Sequence, residues 1–573
     1  MSRRTPPRVP TGMRCLMRVL SMVVLVLTVA PAPPAGAQPP DTSAAVELKI
    51  DDIVDRANRA EAALLVRMRM YHPIVEVYIQ NLVPDEQLGW VAARDDYFLG
   101  QFDLKETPRL RPLGQAKKAS ALVSRLNTGR SVQFLPDGFG AMVVPDWRLL
   151  ERARYEFKFV RREFLGDARC FVLEVKPSRA GRDGFSGRIW VDDRDYTIVR
   201  FNGINRSVDQ TLSTFFRRTL SFHVDGWRIN VMPGVWLPSY VYCEETDLSD
   251  VRSTGGKARF KSQVRVWGYE AQAAEDMRES TTIRVDSPSV VDGTAPSGQL
   301  SPTLSQRRWE QEAEANVVER LEKAGLLAPR GGVDTVLDTV MNNLMVTNDI
   351  TLERPLQCRI LLTSPLESFT VGHTVVLSRG LIDVLPDEGS LATMLAHELS
   401  HVVLGHPLID TKFGFADRLM VTDGELLETL QFHRSAREEA AADQRVIEIL
   451  RKSPYKDRLA ASGLFLRMLA QTAPQLTRLI QPHIGDRIAD RGQVQRLADL
   501  MEQAPALAPQ ALDQIAALAL GARVVVDPWS GRAELDRSPA VPLTSIREKV
   551  PLSVTPLMPY LRYAEMTAKN TSR

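Results

Sequence analysis

The sequence predicts an α+β protein, with an antiparallel β domain first and a mainly helical domain after it. Three observations lead there. Between about 150 and 270 the chain runs in short β-branched and aromatic stretches, such as GRIWVDDRDYTIVRF and ARFKSQVRVWGYE. Gly, Asp and Asn separate them, which is the pattern of an antiparallel meander. Residues 286–305, DSPSVVDGTAPSGQLSPTLS, concentrate Ser, Pro and Gly as a linker does. Beyond them the apolar residues recur at three- and four-residue intervals, with breaks, to about 520, which is helical spacing. At 573 residues the chain exceeds what one hydrophobic core serves, and 44% apolar with 25% charged residues is an ordinary globular composition.

Taken from the start, Arg3, Arg4, Arg8, Arg14 and Arg18 precede an apolar run, VLSMVVLVLTVA, and a Pro/Ala stretch ending AGAQ. A basic start, a short apolar core and an Ala-x-Ala site read as a secretory signal peptide over 1–37, cut after Ala37. The twelve-residue core falls short of the about 20 residues that span a bilayer. Without those arginines the formal charge of +2 turns slightly negative, which argues against nucleic-acid binding. An exported chain meets oxidising conditions, so Cys170 and Cys243 are candidates for a disulfide, leaving Cys358 over.

Residues 45–82 read as helix, from the spacing in IVDRANRAEAALLVRMRM. The β domain is assigned to 38–285, the linker to 286–305, the helical domain to 306–520, and a tail to 521–573. That tail is strand-like from Ala522, with a turn at DPWSGR, and then Pro-rich.

The chemistry concentrates in LATMLAHELSHVVLGH, residues 391–406. Imidazoles and a carboxylate are costly in so apolar a helix unless something compensates them. His397-Glu398-Leu399-Ser400-His401 is HExxH: residues four apart share a helix face, so both histidines can point at one ion. Glu398 is turned by about 100° and flanks that ion as a base. The arrangement suits a catalytic zinc, which takes three protein ligands and an open position. The plain alternative is a buried helix whose histidines are satisfied by hydrogen bonds. Asp387 stands as the N-cap.

A third ligand is needed. His406 lies half a turn round the helix from His397 and points away. In REEAAADQRVIEIL, residues 437–450, Glu439, Asp443, Val446 and Leu450 form one stripe of one helix. Glu439 can reach the metal from there, and Asp443 can hold a ligating histidine by its free N–H. Glu438 reads as solvated, and the alternative for the whole run is an acidic surface.

HExxH followed by E-x-x-A-D resembles metallopeptidase family forty-eight. That family includes the CAAX prenyl endopeptidases, the HtpX-type membrane proteases and soluble periplasmic proteases of outer-membrane assembly. The resemblance spans about 335–500 and takes in VVLSRGLIDVLPDEGSLATMLAHELSHVVLGH and EAAAD. It implies a zincin-type fold and one zinc per subunit on His397, His401 and Glu439. Glu398 would then be the general base for peptide-bond hydrolysis. QPHIGDRI is similar to the family's H-P-x-x-x-R segment, which implies that His483 lines the cleft near the zinc and Arg487 fixes the segment. Here Pro482 precedes the histidine, where the family's proline follows it. Glu367-Ser368-Phe369 stands where the family commonly has N-A-F, on an edge strand that could take an extended substrate by β-addition. His373 beside it faces the cleft or the solvent. The membrane spans of the prenyl-protease and HtpX branches are absent, which favours the soluble periplasmic branch.

The meander resembles the half-barrel of periplasmic lipoprotein carriers and sorting proteins, which implies a concave apolar face for lipid, an acyl chain or an unfolded outer-membrane protein. The expectation is therefore an exported, periplasmic zinc metalloendopeptidase of envelope quality control or outer-membrane assembly. Its partners would be protein or peptide substrates such as misfolded envelope proteins, with peripheral membrane or lipid contact through the β domain. The alternative is an envelope chaperone, or a lipid- or protein-binding module, that uses its peptidase fold mainly for binding.

Overall fold

In the computed structural model, helix α1 (Ile50–Met68) leads into β1 (Ile74–Asp85), β2 (Gly89–Asp103) and β3 (Arg109–Pro112). The residues described are 49–68, 71–85, 89–103, 109–113, 151–178, 184–208, 219–245, 259–269, 302–406, 432, 434–481, 484–490, 493–494, 496–508, 524–526, 533–535 and 557. The signal segment and His483 lie outside them.

The helix expected over 45–82 stops at Met68, and the expected stretch is strand from Ile74 on. Pro73 disfavours helix at the residue before it. The following IVEVYIQNLV is a β-branched alternation, and β1 pairs with β2 on one side and β10 on the other.

The meander continues through β4 (Tyr155–Leu165), β5 (Ala168–Pro177), β6 (Gly184–Asp192), β7 (Ile198–Val208), β8 (Thr219–Met232), β9 (Val235–Glu245) and β10 (Arg259–Trp267). All join one antiparallel sheet in the order β3-β2-β1-β10-β9-β8-β7-β6-β5-β4. Helix α1 packs on it through Ile53, Val54, Ala57, Leu64 and Met68, and its Glu61 forms a buried ion pair with Arg228 at 2.6 Å.

Cys170 and Cys243 are buried and neither is in a disulfide. Three strands separate them, which puts them roughly 19 Å apart at sheet spacing, against a limit of about 7 Å for a disulfide. The register also sets them on opposite faces: Cys170 shares the face of Val172, Trp190, Arg200, Trp227 and Tyr240, and Cys243 the other. The expected bridge is therefore excluded.

The second part opens with α2 (Pro302–Lys323), which starts inside the stretch read as linker, and α3 (Gly332–Thr347). Strands β11 (Gln357–Leu361), β12 (Glu367–Val371) and β13 (Thr374–Ser378) precede α4 (Arg379–Val384) and α5 (Glu388–Val403). Next come α6 (Ala436–Lys452), α7 (Leu459–Thr472), α8 (Thr477–Ile480) and β14 (Asp486–Arg487). A hairpin, β15 (Ala489–Asp490) and β16 (Gln493–Val494), is followed by α9 (Ala498–Gln503). In the tail, β17 (Val524–Val526) pairs with β18 (Ala533–Leu535).

The protein is thus α+β, as the sequence predicts. The small sheet runs β11-β13-β12-β14, so β14 covers β12 at Glu367 and Ser368. The chain itself fills that half of the edge on which a substrate was expected to pair. Among the described residues no helix is long and apolar enough to cross a membrane.

Candidate metal centre

Helix α5 starts at Asp387, whose side chain accepts the N–H of Ser390 as an N-cap. It packs against α3, α6, α7 and β12, so nearly its whole length is buried. Helix α6 starts at Ser435 in a capping box with Glu438, which ties Glu438 to the helix end and leaves Glu439 facing α5. Below Glu439, Val446 and Leu450 are fully buried, so the stripe read from the sequence does face the core.

His397, His401 and Glu439 meet there. The two Nε2 atoms are 3.1 Å apart. Glu439 Oε2 lies 3.2 Å from His397 Nε2, and Oε1 lies 3.5 Å from His401 Nε2. Three ligands at bonds of about 2.0–2.1 Å round a tetrahedral ion stand roughly 3.4 Å from one another. The three atoms therefore fit around one such ion, and two imidazoles with a carboxylate are the donor set it takes.

The remote ring nitrogens are also held. His397 Nδ1 is 3.1 Å from Asp443 Oδ1, and Asp443 Oδ2 accepts the N–H of Leu497 at 2.7 Å. His401 Nδ1 is 2.9 Å from His406 Nδ1. His406 lies past the end of α5 and outside the group of three, and it abuts His401 from behind.

Glu398 is buried beside the group. The hydroxyls of Ser368 and Thr370 donate to its two oxygens, each at 2.7 Å. Arg496 Nη1 donates to Glu398 Oε1 at 3.1 Å and to Ser368 Oγ at 2.9 Å, while its Nε lies 3.1 Å from Glu439 Oε2. Burial raises the Glu398 pKa, but the Arg496 and His397 charges and the two hydroxyls bring it below the ordinary carboxylate value. Burial and Arg496 oppose a proton on His397, yet hydrogen bonds to Asp443 and Glu439 outweigh them and raise it to about 9. His401 is pushed down to about 2, by burial first and the His397 charge second. With no metal bound, the imidazole pair carries one positive charge at neutral pH.

Ser368, Thr370 and Arg496 are what the sequence reading missed. Ser368 and Thr370 carry a signal, since residues two apart on a strand share a face. Arg496 carries none: QVQRLADL has no pattern that aims it at the site. Arg487 lies in β14 opposite Glu367, and His373 Nδ1 is 3.1 Å from Arg354. His373 is not in the group of residues that could hold a metal ion.

Residues 334–481 match the family model of Peptidase family M48. The match indicates a metallopeptidase domain in this segment. The matched segment contains all three candidate ligands and Glu398; Arg487 and Arg496 lie beyond its end. No curated protein matches the chain.

Two solved structures are similar to it. One is a LolA superfamily protein, NE2245, from Nitrosomonas europaea, with 13% identity, 38% of this chain and 91% of that chain covered, and a TM-score of 0.19. The other is a putative outer membrane lipoprotein-sorting protein domain from Vibrio parahaemolyticus, with 10% identity, 38% and 92% covered, and a TM-score of 0.17.

Proposed function

We propose that the protein is an exported zinc metalloendopeptidase that cuts protein chains in the periplasm, in envelope quality control or outer-membrane assembly. The observation that carries the reading is the spacing of the ligand atoms of His397, His401 and Glu439, with Glu398 buried beside them. Export rests on the pattern of residues 1–37.

Zinc held there supplies Lewis acidity to the scissile carbonyl and to the attacking water. Asp443 and His406 fix the imidazole planes from behind, so the Nε2 atoms face inward. Glu398, kept ionised by its donors, takes the proton of the water as it attacks and passes it to the leaving nitrogen. Arg487 and His483 are proposed to line the same cleft.

The test is cleavage of unfolded casein by the purified mature protein. Cleavage is expected with zinc and lost with a chelator, then regained when zinc returns. Activity that persists after complete zinc removal would contradict the enzyme reading. Casein held but left uncut by the zinc-loaded protein would favour the chaperone alternative.

Zinc loading has a pH signature. His397 keeps its proton up to about pH 9 in the metal-free centre, and a ligand must lose it. Loading at pH 7 should therefore release about one proton, and apparent affinity should rise about tenfold per pH unit until about pH 9 and then level. Titration calorimetry in buffers of different ionisation enthalpy reads this directly; no proton released at pH 7 would refute it.

A further inference from the structure

We propose that the ten-stranded sheet is a fixed wall of the peptidase cleft, with its Glu76 and Asp95 as positioning residues for β12, which holds Glu398, and for the segment that pairs with β12. The catalytic half of this inference rests on the metalloendopeptidase reading above.

By alternation, Glu76 on β1 and Asp95 on β2 belong to the polar face of the sheet, the face that usually meets water. Instead Glu76 is 0% exposed and Asp95 1%. Buried carboxylates need donors, and both find them across the chain. Glu76 accepts the backbone N–H of Ser364 at 2.5 Å, its hydroxyl at 2.8 Å, and the Tyr97 hydroxyl at 2.8 Å. Asp95 accepts the N–H groups of Arg478 and Leu479 at 2.9 and 2.6 Å. Helix α8 has Leu476 at its N-cap, with no oxygen to offer, so the sheet caps it from outside.

The neighbouring strand adds to the grip. Gln263 donates to Ser364 Oγ at 2.9 Å, and Arg265 reaches Asp383 at 3.3 Å. From the other side α4 closes in: a Cβ on Gly380 would lie 1.7 Å from the Ser364 carbonyl oxygen, so only glycine allows this approach.

The two anchored segments meet at the cleft. Leu366 donates its N–H to Leu479 O at 2.7 Å. Glu367 then accepts the N–H groups of Ile484 and Gly485 at 2.9 and 2.8 Å, which sets β14 on β12. Ser368 and Thr370, the next residues along β12, hold Glu398. Two carboxylates on adjacent strands of the sheet thus fix both sides of the strand pair that orients the base. All of these residues fall within one compact unit of the chain.

The test uses the full chain with Glu76→Gln, Asp95→Asn and the milder Ser364→Ala, which removes one bond to Glu76 while keeping the backbone N–H. Amide exchange at 364–371 and 477–487 should quicken about tenfold or more in the first two variants and less in the third. With zinc still at one per chain, kcat should fall about 10- to 100-fold in the first two. Glu61→Gln serves as the control, because its partner Arg228 belongs to the sheet. It should lower the unfolding midpoint without quickening those amides or slowing the reaction.

Unchanged exchange in Glu76→Gln and Asp95→Asn would overturn the proposal. So would equal quickening in Glu61→Gln. If the zinc-loaded wild type cuts nothing, the functional reading falls, and exchange alone still decides whether the sheet holds these segments.

Discussion

Glu398→Gln is expected to lower the rate of casein cleavage by about 10²- to 10⁴-fold, the usual contribution of a general base. The fold should survive the change. An amide oxygen can face Arg496 and Ser368 as the carboxylate oxygen does, and the new NH₂ can donate to the Thr370 hydroxyl, which is able to accept. Zinc should stay at one per chain, since Glu398 is no ligand. The measurements are the single-turnover rate, the metal content and the melting temperature. A variant that cuts at the wild-type rate would refute the role given to Glu398. One that loses its zinc would point to a structural role instead.

Arg496→Met is expected to act mainly on stability, and unequally in the two metal states. Arg496 joins Glu398 and Glu439 in a buried site. Removing one partner of a buried ion pair costs about 3–5 kcal/mol, because it leaves charge uncompensated. Bound zinc offsets the Glu439 charge by itself, so the loaded variant should lose less than the metal-free one. Denaturant unfolding with and without zinc reads the difference. Equal losses in both states, or none in either, would contradict the account.

The candidate metal site was legible because helix geometry is local. Four residues make one turn, so His397 and His401 face one way whatever surrounds them. The stripe of Glu439, Asp443, Val446 and Leu450 was legible for the same reason, and the need for a third ligand tied the two helices together. Arg496 was not, because its place depends on a two-residue hairpin and on α9, whose N-cap Leu497 sits at φ 59°. The β14 pairing was hidden in the same way: two residues of strand leave no alternation to see.

The misread helix over 45–82 has a similar source. Spacing that fits a helix up to Met68 does not extend past Pro73 into an alternating run, and reading it so hides β1 from Ile74. The Cys170–Cys243 bridge failed because sequence gives neither strand order nor face.

From its own order of residues this chain determines an alternating meander, a helix with two imidazoles on one side, and a second helix bringing carboxylates to meet them. Alternation distinguishes two faces of a sheet, but it does not say which one water touches. Only the tertiary structure decided that Glu76, Asp95, Gln263 and Arg265 turn inward against the peptidase. The reason is physical: a buried polar face is tolerable only where distant backbone N–H groups and side chains arrive to satisfy it, and those partners lie 101 to 384 residues away.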